Sequence, residues 1–549
     1  MGSKLIKILV ILSYFSSLGQ QTPKSSKDKQ PFIWEGASVY FLLIDRFYNG
    51  DTANDVNHSR KPVAQPLRGF MGGDLLGIIK KLEAGYFTDL GIDAIWLSPL
   101  VEQIHSAVDE GHGLTHPYHG YWIKDWTNID PNFGTREELH RLVELAHKKG
   151  IRVLLDAVLN HTGPVTHIDP FWGATWARTE PQCTYKDYRS TVSCTLVENL
   201  PDILTESDKE VEIPEFLTEK WKSEKRYEQE MSELDRFFQE TGYPRAPRYY
   251  IMKWLADYIL EFGIDGYRVD TVKHTEESVW GDFKDICSNA FAKWKQSNPE
   301  KVLDSNDFYT IAEAYNFKIS AARAFDFGDK TVNYYDFGFD ALINFEFKLN
   351  ALSSYEELFS SYSNILTKDL VGASVMNYLS SHDDSSAFDL QRTKVYESAI
   401  KLLLSPGIAQ IYYGDESARI LTDTSVTGDA QLRSYMNWEL QIEDSLNLDY
   451  LAHWQKLGKF RSDNPAVGAG RHTMLSVSPY YFSRVFESKG YRNKVLVGLD
   501  LNKGEKKIPV FDLFLDGQIV YEAYSGQYVA VTNGYISVDS PYRIILVSK

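Results

Sequence analysis

Three places in the chain set carboxyl groups where an apolar run gives way to polar residues. Arg268 and Asp270 close one run; two apart on a strand, their side chains share a face. Lys273 and His274 follow them. TyrThrIleAla (309–312) runs into Glu313, and SerValMetAsnTyrLeu (374–379) leads to Ser381, His382 and Asp383. A further run ends at Asp156, with Asn160 and His161 just beyond. Carboxyls gathered in this way can split a glycosidic bond. One attacks as a carboxylate and another protonates the departing oxygen. Arg268 supplies a cation to Asp270, and a glutamate facing acids and apolar walls is expected to keep its proton. A single strand-end acid is more often half of an ion pair. Three of them, with an arginine and two histidines, read as a site.

The elements that must position these residues repeat one grammar: amphipathic helix, glycine, strand. Thr135 caps a helix with Glu138 in capping-box position, and Leu139, Leu142, Val143 and Ala146 form its apolar stripe. Gly150 ends it, and the strand from Ile151 to Leu155 follows. The pattern recurs around Gly263 with the strand Ile264 to Val269, and again at 90–97 and 406–413. Such near-continuous apolar strands suit a parallel sheet covered by helices on both faces. Alternation over this length predicts an α/β fold, a (β/α)8 TIM barrel, whose chemistry sits at the C-terminal strand ends. Two stretches break the rhythm. Residues 162–247 read as a lobe inserted after the third strand, and short alternating strands from 466 to 549 read as a C-terminal antiparallel β-sandwich. The barrel is then expected over 32–161 and 248–465.

The chain has 549 residues, 43% hydrophobic and 24% charged, which excludes wholesale disorder. Its formal charge of −17 should repel nucleic acid and anionic lipid while leaving a neutral substrate unopposed. Lys4 and Lys7 precede an apolar run, Ile8 to Phe15, and then small residues. This is the layout of a secretory signal peptide over 1–20, too short to span a bilayer, with a flexible polar leader over 21–31. A secreted or periplasmic protein without a transmembrane segment is expected.

With these residues in view, the chain resembles the α-amylase family of glycoside hydrolases. The likeness is carried by AspAlaValLeuAsnHis (156–161), GlyIleAspGlyTyrArgValAspThrValLysHis (263–274), AlaGluAla (312–314) and SerHisAsp (381–383), in the family's order. AsnLeuProAsp (199–202) and TyrHisGlyTyrTrp (118–122) resemble two further motifs. The segment 243–250 and the long insert are most similar to the family's periplasmic members. The resemblance implies Asp270 as nucleophile, Glu313 as general acid/base and Asp383 as transition-state stabiliser. It implies that Arg268, His161 and His382 hold the sugar, that Tyr121 stacks on it beside His119, and that Lys273 and His274 face the leaving side. Ser381 and Ala312 stand where the family commonly has Asn and Gly.

The resemblance also implies calcium between barrel and insert, held by Asn160, Asp202 and the carbonyl of His274. A second oxygen-rich cluster is visible from spacing: Asn49, Asp51, Asn54 and Asp55 lie within seven residues, after a strand read as ending at AspArgPhe (45–47). It is similar to a calcium loop of some family members, completed there by Gly72 and Asp74. Of three cysteines, Cys183 and Cys194 share a loop-rich segment of a chain read as secreted, so a disulfide is expected, with Cys287 a buried thiol. The expected activity is retaining hydrolysis of internal α-1,4-glucosidic bonds by a monomer with Ca²⁺ as cofactor and an α-glucan as substrate. A glucan transferase or cyclomaltodextrinase-type enzyme, and a non-catalytic glucan-binding protein, are the competing readings.

Overall fold

A computed structural model describes residues 30–60, 65–440 and 444–549. The expected signal peptide, and the leader up to residue 29, lie outside the described residues. Eight parallel strands close a barrel: β1 (Ser38–Leu42), β2 (Ala94–Leu97), β3 (Arg152–Ala157), β4 (Gly266–Val269), β5 (Tyr309–Ala312), β6 (Ala341–Asn344), β7 (Ser374–Asn377) and β8 (Ile408–Tyr412). Each pairs with its neighbours in chain order, and β8 returns to β1 through Ser38↔Ala409 and Phe41↔Tyr412. All residues of these strands are buried, as a sheet covered on both faces requires.

Helix α1 (Arg136–Lys148) starts on the expected capping box: Thr135 Oγ1 accepts from Glu138 N, and Thr135 N donates to Glu138 Oε2 at 2.8 Å. A cap of this kind stabilises a helix by about 1 kcal/mol. Between β3 and β4 the inserted lobe carries α2 (Glu215–Ser223) and α3 (Tyr227–Thr241), and then α4 (Pro247–Phe262) leads back to the barrel. Helix α4 is buried almost all round. Its Trp254 lies 6.3 Å from Trp172, Trp176 and Trp221 of the lobe and 6.4 Å from Trp126 on the barrel side, so one side chain joins the two bodies. Gly263 ends α4 at φ 70°, where a Cβ would meet the Trp294 ring at 2.1 Å; both conformation and space demand glycine.

After the barrel, a six-stranded antiparallel sheet runs in the order β9 (Arg471–Val477), β10 (Tyr480–Ser488), β11 (Tyr491–Leu499), β16 (Ile545–Ser548), β13 (Ile519–Glu522), β14 (Gln527–Ala530). It faces a two-stranded sheet of β12 (Gly504–Pro509) and β15 (Tyr535–Ser540). Leu496, Ile545 and Val547 share an apolar cluster with Ile508, Ile536 and Val538, which makes this the expected sandwich. Val495, Val497 and Leu546 point the other way and belong to the barrel's core cluster.

One local expectation is corrected. The first strand ends at Leu42, and residues Ile44–Phe47 form a short helix, not strand. Arg46 turns inward there and donates to the carbonyls of Leu67, Gly69 and Arg433 at 2.7–2.9 Å, contacts a strand's alternation would not bring together. Among the described residues, no helix is long and apolar enough to cross a membrane.

Candidate active site

One guanidinium organises the strand ends. On β4, Arg268 sits in register with Asp156 of β3. Its Nη1 donates to both Asp156 oxygens at 2.9 and 3.0 Å and to Asp270 Oδ1 at 2.7 Å, while Nη2 lies 3.1 Å from Glu313 Oε2. Asp156 also accepts from Tyr121 Oη at 2.9 Å and Trp96 Nε1 at 3.1 Å. Glu313, one residue past β5, takes the Thr271 amide at 2.8 Å. Thr271 holds φ 50°, a left-handed backbone that is costly for a β-branched residue. Past β7, Ser381 Oγ donates to Asp383 Oδ1 at 2.7 Å, and Arg433 Nε holds the His382 carbonyl at 2.8 Å.

The aromatic floor is built from the segment at 118–122. The Tyr121 ring stacks on His382 with centroids 5.3 Å apart and planes 18° apart. His161 Nε2 lies 3.1 Å from the Tyr121 carbonyl, and His119 Nδ1 accepts the Tyr121 amide at 3.0 Å. On the opposite wall, Lys273 Nζ lies 5.1 Å from the Tyr315 ring and 5.7 Å from that of Tyr185. His274 Nδ1 pairs with the Thr191 carbonyl at 2.9 Å. Tyr185 and Thr191 lie on one loop of the lobe, in which Cys183 and Cys194 are joined. Cys287 is buried on α5 (Glu277–Ser297).

Burial dominates the electrostatics. It pushes Glu313 up to about 8; Arg268 opposes this, and the charges of Asp270 and Asp383 add to it. Asp156 rises to about 7, by burial first, with Arg268 opposing and Asp270 adding. Burial also raises Asp383, but His382, the Ser381 hydroxyl, Arg268 and Arg433 outweigh it and hold that carboxyl below the usual range. Burial lowers His119 and His161, and takes His274 and His382 down to about 3, so the site's imidazoles are neutral at ordinary pH. Glu313 therefore keeps its proton at neutral pH while Asp383 stays ionised, the asymmetry that acid-assisted bond cleavage requires.

The two oxygen clusters differ as cation sites. In the loop cluster, Asp74 caps the helix Leu75–Glu83 and accepts from the amides of Gly50, Asp51 and Gly77. Asn49 Nδ2 donates to Asp55 Oδ1, and Asp51 Oδ1 takes the Ala53 amide. The buried amide oxygens Asn49 Oδ1 and Asn54 Oδ1 find no donor. Gly72, at φ 86°, brings its backbone so close that a Cβ would lie 2.3 Å from Asn49 Nδ2 and 2.6 Å from Asp55 Oδ1. Unmatched acceptors in a tight cradle fit a hard cation. At the lobe seam, Asp202 is buried and neither of its oxygens has an aligned donor, although Arg178 Nε lies 2.8 Å away as an ion pair. Asn160 Oδ1 already takes the Thr275 hydroxyl at 3.2 Å. A cation there would share Asp202 with Arg178 or displace it.

Sequence reading assigned no contact to Asp156, which proves to be the most connected of the strand-end carboxylates, nor to Trp96, Arg433 or Arg178. Trp96 lies inside an apolar strand, where it reads as core. Arg433 lies in an irregular segment and Arg178 on a two-residue strand, Ala177–Arg178, too short to show periodicity, so nothing in their spacing marked them. Asp156 could have been singled out, because it ends a strand next to the one bearing Arg268.

A closed parallel barrel with acids and an arginine at its C-terminal mouth defines a class of enzyme, and the comparisons agree. Residues 41–438 match the family description "Alpha amylase, catalytic domain". The chain is 34% identical over 509 residues to the periplasmic alpha-amylase of Escherichia coli, covering 82% of this chain and 70% of that protein. It is 27% identical to a cyclomaltodextrin glucanotransferase of Geobacillus stearothermophilus, covering 82% of this chain but 57% of that one. The crystal structure of an Anoxybacillus alpha-amylase superposes with a TM-score of 0.63 at 23% identity, over 94% of this chain and 99% of that one, a likeness of fold. The chain belongs to the α-amylase family of glycoside hydrolases.

Proposed function

We propose that the protein hydrolyses internal α-1,4-glucosidic bonds of starch, glycogen or maltodextrins with retention, outside the cytoplasm. The observation that carries this is the Arg268 guanidinium held between Asp270 and Glu313. Asp270 attacks the anomeric carbon. Glu313 gives its proton to the glycosidic oxygen, and the leaving sugar departs with that proton. Water then attacks the β-glycosyl enzyme, Glu313 takes its proton, and the Asp270 ester bond breaks. Asp383, kept ionised by its neighbours, faces the positive charge that develops on the sugar. Tyr121 lies under the ring, with His119 supporting it and His161 and His382 binding hydroxyls; Lys273 and His274 receive the leaving side. In the loop cluster, Asn49, Asp51, Asn54, Asp55, Gly72 and Asp74 would hold Ca²⁺. When bound, the ion would neutralise these carboxylates and tie the loop to the barrel. The Asn160, Asp202 and His274 set is the corresponding proposal at the lobe seam.

Two inversions make the first product an α-anomer. Proton NMR of the earliest products from maltoheptaose tests this: fresh β-anomer, before mutarotation, would overturn Asp270 as nucleophile. The similarity to glucanotransferases favours a second reading, in which a sugar hydroxyl replaces water. Oligomers longer than the input in the same time course would establish it.

A further inference from the structure

On the segments that follow β1 and β2, His58, Glu102 and His105 bring their ligand atoms within 4.8 Å of one another. We propose that they form a site for a zinc-class divalent cation, distinct in place and chemistry from both oxygen clusters. Two imidazole nitrogens and one carboxylate suit Zn²⁺, with a fourth position left to water; calcium prefers oxygen alone.

Four observations converge. The His58 ring lies on that of His105, centroids 3.8 Å apart, yet its buried Nε2 has no hydrogen-bond partner. A buried polar atom left unmatched is costly, and a metal bond would offset that cost. His58 and Ser59 both hold left-handed backbone, φ 53° and 57°. Neither is glycine, and strain of this kind persists only where the surroundings impose it. The next residue, Arg60, is the clamp. It donates to Asp130 at 2.7 and 2.8 Å and to the carbonyls of Gln103 and Ile104, so the 58–60 turn is locked to the strand Val101–Gln103, which carries Glu102, and to the bend just past it, which carries His105. Glu102 is buried, with Oε1 3.0 Å from His105 Nε2 and Oε2 paired to Lys220 of α2, which orients the carboxylate from behind as metal ligands commonly are.

Because the rings stack face to face, each must tilt about its Cβ–Cγ bond for both lone pairs to reach one ion. Binding should therefore replace the stack, and rigidify a junction between the 51–60 loop, the strand Val101–Gln103 and the inserted lobe.

The full chain, stripped with EDTA and returned to excess Ca²⁺, is titrated with Zn²⁺ by calorimetry and with Co²⁺ by visible absorption. One Zn²⁺ per chain and a four-coordinate Co²⁺ spectrum are expected. His58→Gln and His105→Gln should each weaken binding roughly tenfold or more. His58→Gln removes a partly exposed group, so it keeps the test valid if His105→Gln fails to fold. No Zn²⁺ uptake above calcium, or unchanged uptake in both histidine variants, would overturn the site.

Discussion

Glu313 is the residue whose environment makes the most specific demands. Asp270→Asn, Glu313→Gln and Asp383→Asn should each lower kcat by about three orders of magnitude or more while circular dichroism and Tm report a folded chain. A variant within tenfold of wild type would remove its residue from the mechanism. Glu313 also couples pH to stability. In the unfolded chain a glutamate titrates near about 4.3, whereas burial holds it at about 8 in the folded one. Between those values the folded state carries the extra proton, so its stability falls as pH rises through the window. Glu313→Gln abolishes that titration. Its Tm should exceed wild type by more at about pH 8 than at about pH 5; an equal difference at both would mean that Glu313 is not loaded with a proton by its site.

At the scale of elements, the Cys183–Cys194 loop is the part most exposed to test. It presents Tyr185 to Lys273 and the Thr191 carbonyl to His274. Closing so short a loop contributes about 3 kcal/mol in the chain-entropy model. The paired Cys183→Ser, Cys194→Ser variant should lose Tm and raise KM for maltoheptaose several-fold. It should act normally on maltosyl fluoride, whose leaving group needs no sugar subsite. Three titratable thiols in the denatured, unreduced wild type would refute the bridge. Elements with a strong local signal were legible: the Thr135 capping box, the stop of α4 at Gly263, and the strands leading to Asp156, Asp270 and Glu313. So was the set of strand-end acids, because strand ends are a property of spacing. What stayed hidden depends on tertiary context. The helix Ile44–Phe47 exists because Arg46 finds three distant carbonyls, and β6 follows only a one-turn helix, Tyr334–Phe337, too short to show a periodic stripe. Arg433 reaches His382 across 51 residues, a contact no local pattern encodes.

For the molecule as a whole, calcium is the lever to pull. A ligand bound only to the folded chain stabilises it by about 2.7 kcal/mol at a hundred times its Kd. EDTA should therefore lower Tm, and Ca²⁺, but not Mg²⁺ at equal concentration, should restore it. Asp74→Asn should blunt that response. Freshly purified protein with no calcium by elemental analysis, and no melting shift when it is added, would refute the proposal.

The six-stranded sheet has two apolar faces, and they belong to different bodies: Leu496 looks into the sandwich while Val495 and Val497 complete the barrel's own core. Arg484 on the same sheet is buried and donates to the Val467 carbonyl, and His453 of the barrel meets Tyr524 at 2.6 Å. Evolution can trade an appended domain between enzymes when its linker is its only debt to the host. Here the seam is interior. A swap of the terminal sheet with a relative would have to carry compensating changes beneath it, so the lineage of this barrel and the lineage of its sandwich should be one history, inherited together.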